Sequence, residues 1–136
     1  MDIYQVFADL VVALHAGYVS FVVLGVPVIL IGAWRGWRFV RNFWFRVIHL
    51  GMIGVVALEA VIGMVCPLTV WENQLRRAAG QSAEQGSFVG RWAHRLIFVD
   101  LSPTTLMVCY CLFAAVVIVM FLMIRPRRPS FLTRRQ

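Results

Sequence analysis

The chain has 136 residues, 61% of them hydrophobic and only 14% charged, with a net charge of +7. That length holds one domain, and apolar residues gathered in long runs exclude an ordinary soluble domain and point to a bilayer. Every basic residue is an arginine set beside an apolar run, and no groove-reading motif is present. Membrane topology and lipid head groups account for those arginines, and nucleic acid is excluded as a partner.

The N-terminus lacks the basic leader and short apolar core of a signal peptide, so the first apolar run is expected to remain as a span. It covers about residues 4–34, with Pro27 predicting a bend near Gly25. Asp9, His15, Tyr18 and Ser20 are polar residues inside it. Arg35, Arg38, Arg41 and Arg46 follow, interleaved with Trp34, Trp37 and Trp44, the signature of a membrane-surface loop. A second span is expected over about 46–66. It carries His49 and Glu59 and is ended by Pro67.

Thr69-Val70-Trp71-Glu72 fits a capping box, in which Thr69 caps a helix and Glu72 reaches back to the free amide. The helix Val70 to Ala79 would place Trp71, Leu75 and Ala79 on its apolar side, with Gly80 as terminator. After the polar loop Gln81 to Gly86, the segment Ser87 to Val99 has Phe88, Trp92, Leu96 and Val99 on one side. Arg91, His94 and Arg95 lie on the other. Both short helices are expected to lie in the interface, the second flat or dipping partly inward. Ser102-Pro103 then reads as a capped helix start with proline at the first position, opening a third span over about 103–124.

The expected architecture is therefore all-α. Residues 1–124 form a single transmembrane domain of three spans, with two short periplasm-side interfacial helices in the outer segment 67–102. An arginine-rich cytoplasmic tail covers 125–136. The loop Arg35–Arg46 and the tail hold nine arginines and no acid, whereas segment 67–102 sets four arginines against Glu72, Glu84 and Asp100. The positive-inside rule puts loop and tail in the cytoplasm and the N-terminus in the periplasm of a bacterial inner membrane.

The block Ala8-Asp9-Leu10 to His15, then His49, Glu59 and Cys66-Pro67-Leu68-Thr69-x-x-Glu72-Asn73-x-Leu75-Arg76, resembles a bacterial membrane family, the domain-of-unknown-function 2784 family. The likeness extends over about the first hundred residues or more. Its most specific part is the outer segment Cys66, Thr69, Glu72, Asn73 and Arg76. It implies a small multi-span membrane protein and supplies no mechanism.

Ionisable residues inside spans are costly unless paired, which makes His15, Tyr18 and Glu59 the candidate intramembrane polar site. Estimated depths allow a His15–Glu59 hydrogen bond, a polar clasp between spans one and two. The corresponding function is a non-catalytic accessory or structural subunit, partnered by the lipid bilayer and by another membrane protein or a second copy. One alternative is a b-type haem or metal site using His15 and His49, or His94 approaching from the outer surface. A further one is proton or quinone handling through His15, Tyr18 and Glu59. A Cys66–Cys109 bridge is conceivable in an oxidising compartment, with a small apolar role for these cysteines as the commoner use. No nucleophile–base pair is visible, so an enzyme is not expected.

Overall fold

The computed structural model describes residues 2–83 and 86–127. Among these residues the chain is all helical: α1 (Ile3–Trp34), α2 (Phe43–Val61), α3 (Pro67–Ala78), α4 (Phe88–Ile97) and α5 (Pro103–Met123), with a 3-10 turn at Phe39–Arg41. Helices α1, α2 and α5 are long and apolar enough to cross a membrane, and the chain is a membrane protein. Most of the tail, and Glu84 and Gln85 of the polar loop, lie outside the described residues.

Helix α1 has 32 residues. At about 1.5 Å per residue it rises about 48 Å, well beyond a hydrocarbon core of about 30 Å. The excess length has a use, because α1 packs along its N-terminal half on α3 while its C-terminal half meets α2. Pro27 sits inside α1 without ending it. Helix α2 packs in turn on α5. The apolar core lies where α1, α2 and α5 meet, at Val22, Ile53, Ala114 and Val117.

Two reciprocal hydrogen bonds hold α1 to α2. The Tyr18 hydroxyl donates to the Met52 carbonyl (2.6 Å), and His49 Nε2 donates to the Val22 carbonyl (2.8 Å). Each bond spends a side-chain donor on a carbonyl of the facing helix, which satisfies it without water. His49 is 1% exposed, edge-on to Phe21, and fits only because Gly25 faces it, since a Cβ there would overlap the imidazole.

Arg46, expected in the surface loop, is instead the buried start of α2 and 3% exposed. Its Nη2 donates to the Met120 carbonyl (2.7 Å) and reaches that of Ile124 (3.5 Å), while its guanidinium lies over the Phe121 ring. It thereby satisfies the open carbonyls at the end of α5, where the helix dipole favours a cation. The Arg127 amide also donates to the Arg41 carbonyl (2.8 Å), so the basic loop and the start of the tail sit at the same end of the bundle.

Four helix boundaries test the sequence reading. Helix α5 starts as expected, with the Ser102 side chain accepting from the Thr105 amide and Pro103 at the first position. Helix α2 stops at Val61 and not at 66, because Gly63 takes φ +73° and the Gly63 and Met64 amides turn back onto the Ala60 and Glu59 carbonyls. The capping box does not form. Helix α3 starts at Pro67, whose ring presets the first helical φ, so Thr69 falls inside the first turn and Glu72 is free to point elsewhere. Gly80 does end α3, as expected.

Candidate functional site

Towards the end of the bundle opposite the basic loop, α1, α2 and α5 leave a gap that α3 and α4 partly close. What remains is a cavity of about 960 Å³, at the upper end of the range typical of small-molecule sites. Its walls come from all five helices. Val19, Val56, Ala60, Leu106 and Met107 are apolar, and His15, Tyr18, Glu59, Thr69, Asn73 and Tyr110 supply polar groups. His94, Arg77, Arg95 and Asp100 also line it.

The closing helices are held by charge. Glu72, with a side chain only 3% exposed, accepts from Arg91 Nη2 of α4 (2.7 Å) and from Arg76 Nε one turn along α3 (3.0 Å). Arg76 also bonds the Gln81 side chain (3.2 Å) and reaches Asp9 on α1 (3.5 Å). Burial pushes the Glu72 carboxyl up, but the hydrogen bonds and charges of Arg91 and Arg76 outweigh it and hold the group below its ordinary range. Ser87 caps α4 by accepting from the Gly90 amide, and Phe88 stacks flat on His15 at 4.1 Å.

This arrangement turns part of the polar face of each of α3 and α4 inward. Thr69, Glu72 and Arg91 turn inward, whereas Trp71 is 56% exposed and Leu96 is also exposed. Glu72 and Arg91 turn inward because each is the other's partner, while Arg77, His94 and Arg95 stay exposed.

The sequence candidates separate on this geometry. His15, Tyr18 and Glu59 do line one cavity, but no hydrogen bond joins His15 to Glu59. His15 stacks on Phe88 instead, and the clasp between α1 and α2 is made by Tyr18 and His49. His15 Nδ1 and the Thr69 hydroxyl lie in the cavity wall, shut off from water and without a hydrogen-bond partner. Glu59 makes no ion pair among the described residues.

His49 does not line the cavity. Its ring is fixed between Gly25 and Phe21, so it cannot share a cofactor with His15. His94 does line it and is paired with Asp100 at 2.8 Å. Among the described residues no three His, Cys, Asp or Glu side chains are grouped to hold a metal ion. Cys66, Cys109 and Cys111 are free thiols, so the conceivable Cys66–Cys109 bridge is not formed. Of the outer-segment candidates, Cys66, Thr69 and Asn73 line the cavity while Glu72 and Arg76 tie α3 to its neighbours.

Sequence reasoning missed Arg91 as the partner of Glu72, Phe88 as the cover of His15, and Tyr110 as part of the wall. The one available signal was that a lone Glu72 beside two arginines on a membrane-associated segment leaves an acid in need of a partner.

No curated protein and no solved structure matches the chain. A family model does, over residues 5–126, which adds the third span to the likeness carried by the first hundred residues. The chain belongs to the family described as Protein of Unknown function (DUF2784).

Proposed function

We propose that this chain is a small bacterial inner-membrane protein that binds a lipid-soluble small molecule in the cavity between its helices, acting as a non-catalytic binding or accessory subunit. Its N-terminus is periplasmic and its basic loop and tail cytoplasmic, so the cavity opens in the outer half of the bilayer. The arginine asymmetry and the Arg41–Arg127 contact at one end support that orientation.

One observation carries the binding reading. Glu59 stands in a mostly apolar cavity with no ion pair among the described residues. Its hydrogen-bond partner is the Cys66 thiol and not a cation, and ionisable groups within membrane segments mark sites because they are costly to hold there. His15 Nδ1 and the Thr69 hydroxyl are two unpartnered polar atoms buried behind the same wall.

Native mass spectrometry after extraction in mild detergent tests it. A bound small molecule is expected on the wild-type chain and not on Ala60→Phe, whose ring would fill the cavity from α2. Identical spectra of the two, both free of adduct, count against the reading. An optical spectrum of the same preparation checks the haem alternative, which the geometry narrows to His15 and His94. A Soret band lost in His15→Ala would replace the present reading.

A further inference from the structure

At the end of the bundle away from the cavity, we infer that the joint between the basic loop and the start of the tail holds the phosphate of an anionic phospholipid, gripped by Arg41 from the loop and Arg127 from the tail.

The Arg127 amide donates to the Arg41 carbonyl (2.8 Å), so two arginine-bearing segments distant in the chain meet backbone to backbone. Arg38, Arg41, Arg125 and Arg127 are exposed and form no ion pair among the described residues. The sequence offers them no acid, since neither the stretch 10–58 nor anything after Asp100 contains an Asp or Glu. The other end of the bundle differs. There Arg76 and Arg91 share the Glu72 carboxylate, and Arg76 also reaches Asp9. At the basic end the like charges repel, and an anion that touches both segments turns that repulsion into attraction. Arg46 adds its charge from beneath without taking part in the grip, because it is buried and spent on the Met120 and Ile124 carbonyls. Pro126 fixes φ between Arg125 and Arg127, so the tail has less freedom to lose on binding.

The aromatic surroundings set the source of the phosphate. Trp34, Trp37 and Trp44 are all exposed around this loop, with Trp37 stacked on Phe39. Tryptophans flanking apolar spans settle at head-group level, which is where lipid phosphates lie. Arginine suits the task, because its planar fork holds two phosphate oxygens at once. Basic clusters beside spans attract anionic lipids. A zwitterionic head brings an ammonium that the same arginines repel.

Native mass spectrometry of the full chain in mild detergent, titrated with dioleoyl phosphatidylglycerol or dioleoyl phosphatidylcholine, decides it. Phosphatidylglycerol is expected to bind at least about tenfold more tightly. An arginine that only adds to the surface field is worth about fivefold in affinity. Arg41→Gln and Arg127→Gln should each cost at least about tenfold, since a bidentate contact goes with the charge. Both leave the backbone bond between loop and tail in place. Arg35→Gln removes the same charge from a residue not bonded to the tail and should cost about fivefold or less. Circular dichroism confirms that the three variants are folded. Equal binding of the two lipids overturns the proposal. Equal losses in all three variants overturn the grip and leave a general attraction to anionic lipid. Displacement of phosphatidylglycerol by an equal concentration of inorganic phosphate overturns the lipid assignment in favour of a soluble anion.

Discussion

Gly25→Ala is the sharpest test of how α1 and α2 are joined. The new methyl would overlap the His49 imidazole, which cannot swing aside because it is 1% exposed and edge-on to Phe21. Losing the bond from His49 to Val22 costs about 0.6–1.7 kcal/mol for a hydrogen bond between membrane helices. Overpacking a closed site adds about 1–3 kcal/mol, and the better helix propensity of alanine returns about 0.5–1 kcal/mol. The net expectation is a loss of about 2 kcal/mol. Gly54→Ala is the control, because a Cβ there meets nothing within 4 Å, so only the gain of about 0.5–1 kcal/mol from helix propensity remains. Unfolding in mixed micelles by SDS titration, followed by circular dichroism, measures both. A double-mutant cycle with His49→Ala should show coupling of more than about 1 kcal/mol between the two positions. Gly25→Ala as stable as Gly54→Ala, or a cycle that closes additively, would refute the close approach.

Glu72→Gln should weaken the docking of α3 and α4 by about 1.5–3 kcal/mol, since it removes the charge from the acceptor of the Arg91 and Arg76 hydrogen bonds; limited proteolysis of the 79–87 connection reads the loss. The pH dependence has a definite sign. Because Glu72 titrates lower when folded than when unfolded, its contribution is complete above the ordinary value of 4.5 and disappears as the pH falls below that towards the lowered one. Wild-type α4 should therefore loosen in acid, with Glu72→Gln showing a flatter profile. Arg46→Ala should cost about 1.5–3 kcal/mol through loss of a charge-assisted bond to the end of α5. It should speed amide exchange near Ile124, whereas Arg38→Ala at an exposed site should do neither. Thr69→Val should be neutral or mildly stabilising, because it removes a buried hydroxyl that has no partner; a loss above about 1.5 kcal/mol would show that the hydroxyl is bonded. In a cysteine-free background, Asp2→Cys should label with an impermeant maleimide in intact cells and Arg127→Cys should not.

Elements whose cause is local were legible in the sequence. The three apolar runs announce the spans, Ser102-Pro103 announces the start of α5, and Gly80 announces the end of α3. Where two local signals compete, the wrong one can be chosen: Thr69 and Glu72 form a plausible capping box, yet Pro67 starts the helix first. Partners distant in the chain were not legible. Arg46 looks like one more loop arginine until α5 brings the Met120 carbonyl to it, 74 residues away. Glu72 likewise looks like a cap until α4 supplies Arg91, 19 residues on. The sequence pattern also cannot tell which face of a short helix turns inward when both the bilayer and the other helices compete for it, and that choice set the walls of the cavity. His15, Tyr18 and Glu59 could be singled out because ionisable and hydroxyl groups inside apolar runs are rare. Their shared cavity follows from packing alone.

The most direct measurement is an experimental density map of the chain extracted with its native lipids. Non-protein density inside the cavity, within hydrogen-bonding reach of the Glu59 carboxylate and bounded by His15 and Thr69, is the expected result. A cavity collapsed onto its own side chains, with Glu59 paired to an arginine, would contradict a ligand-binding role.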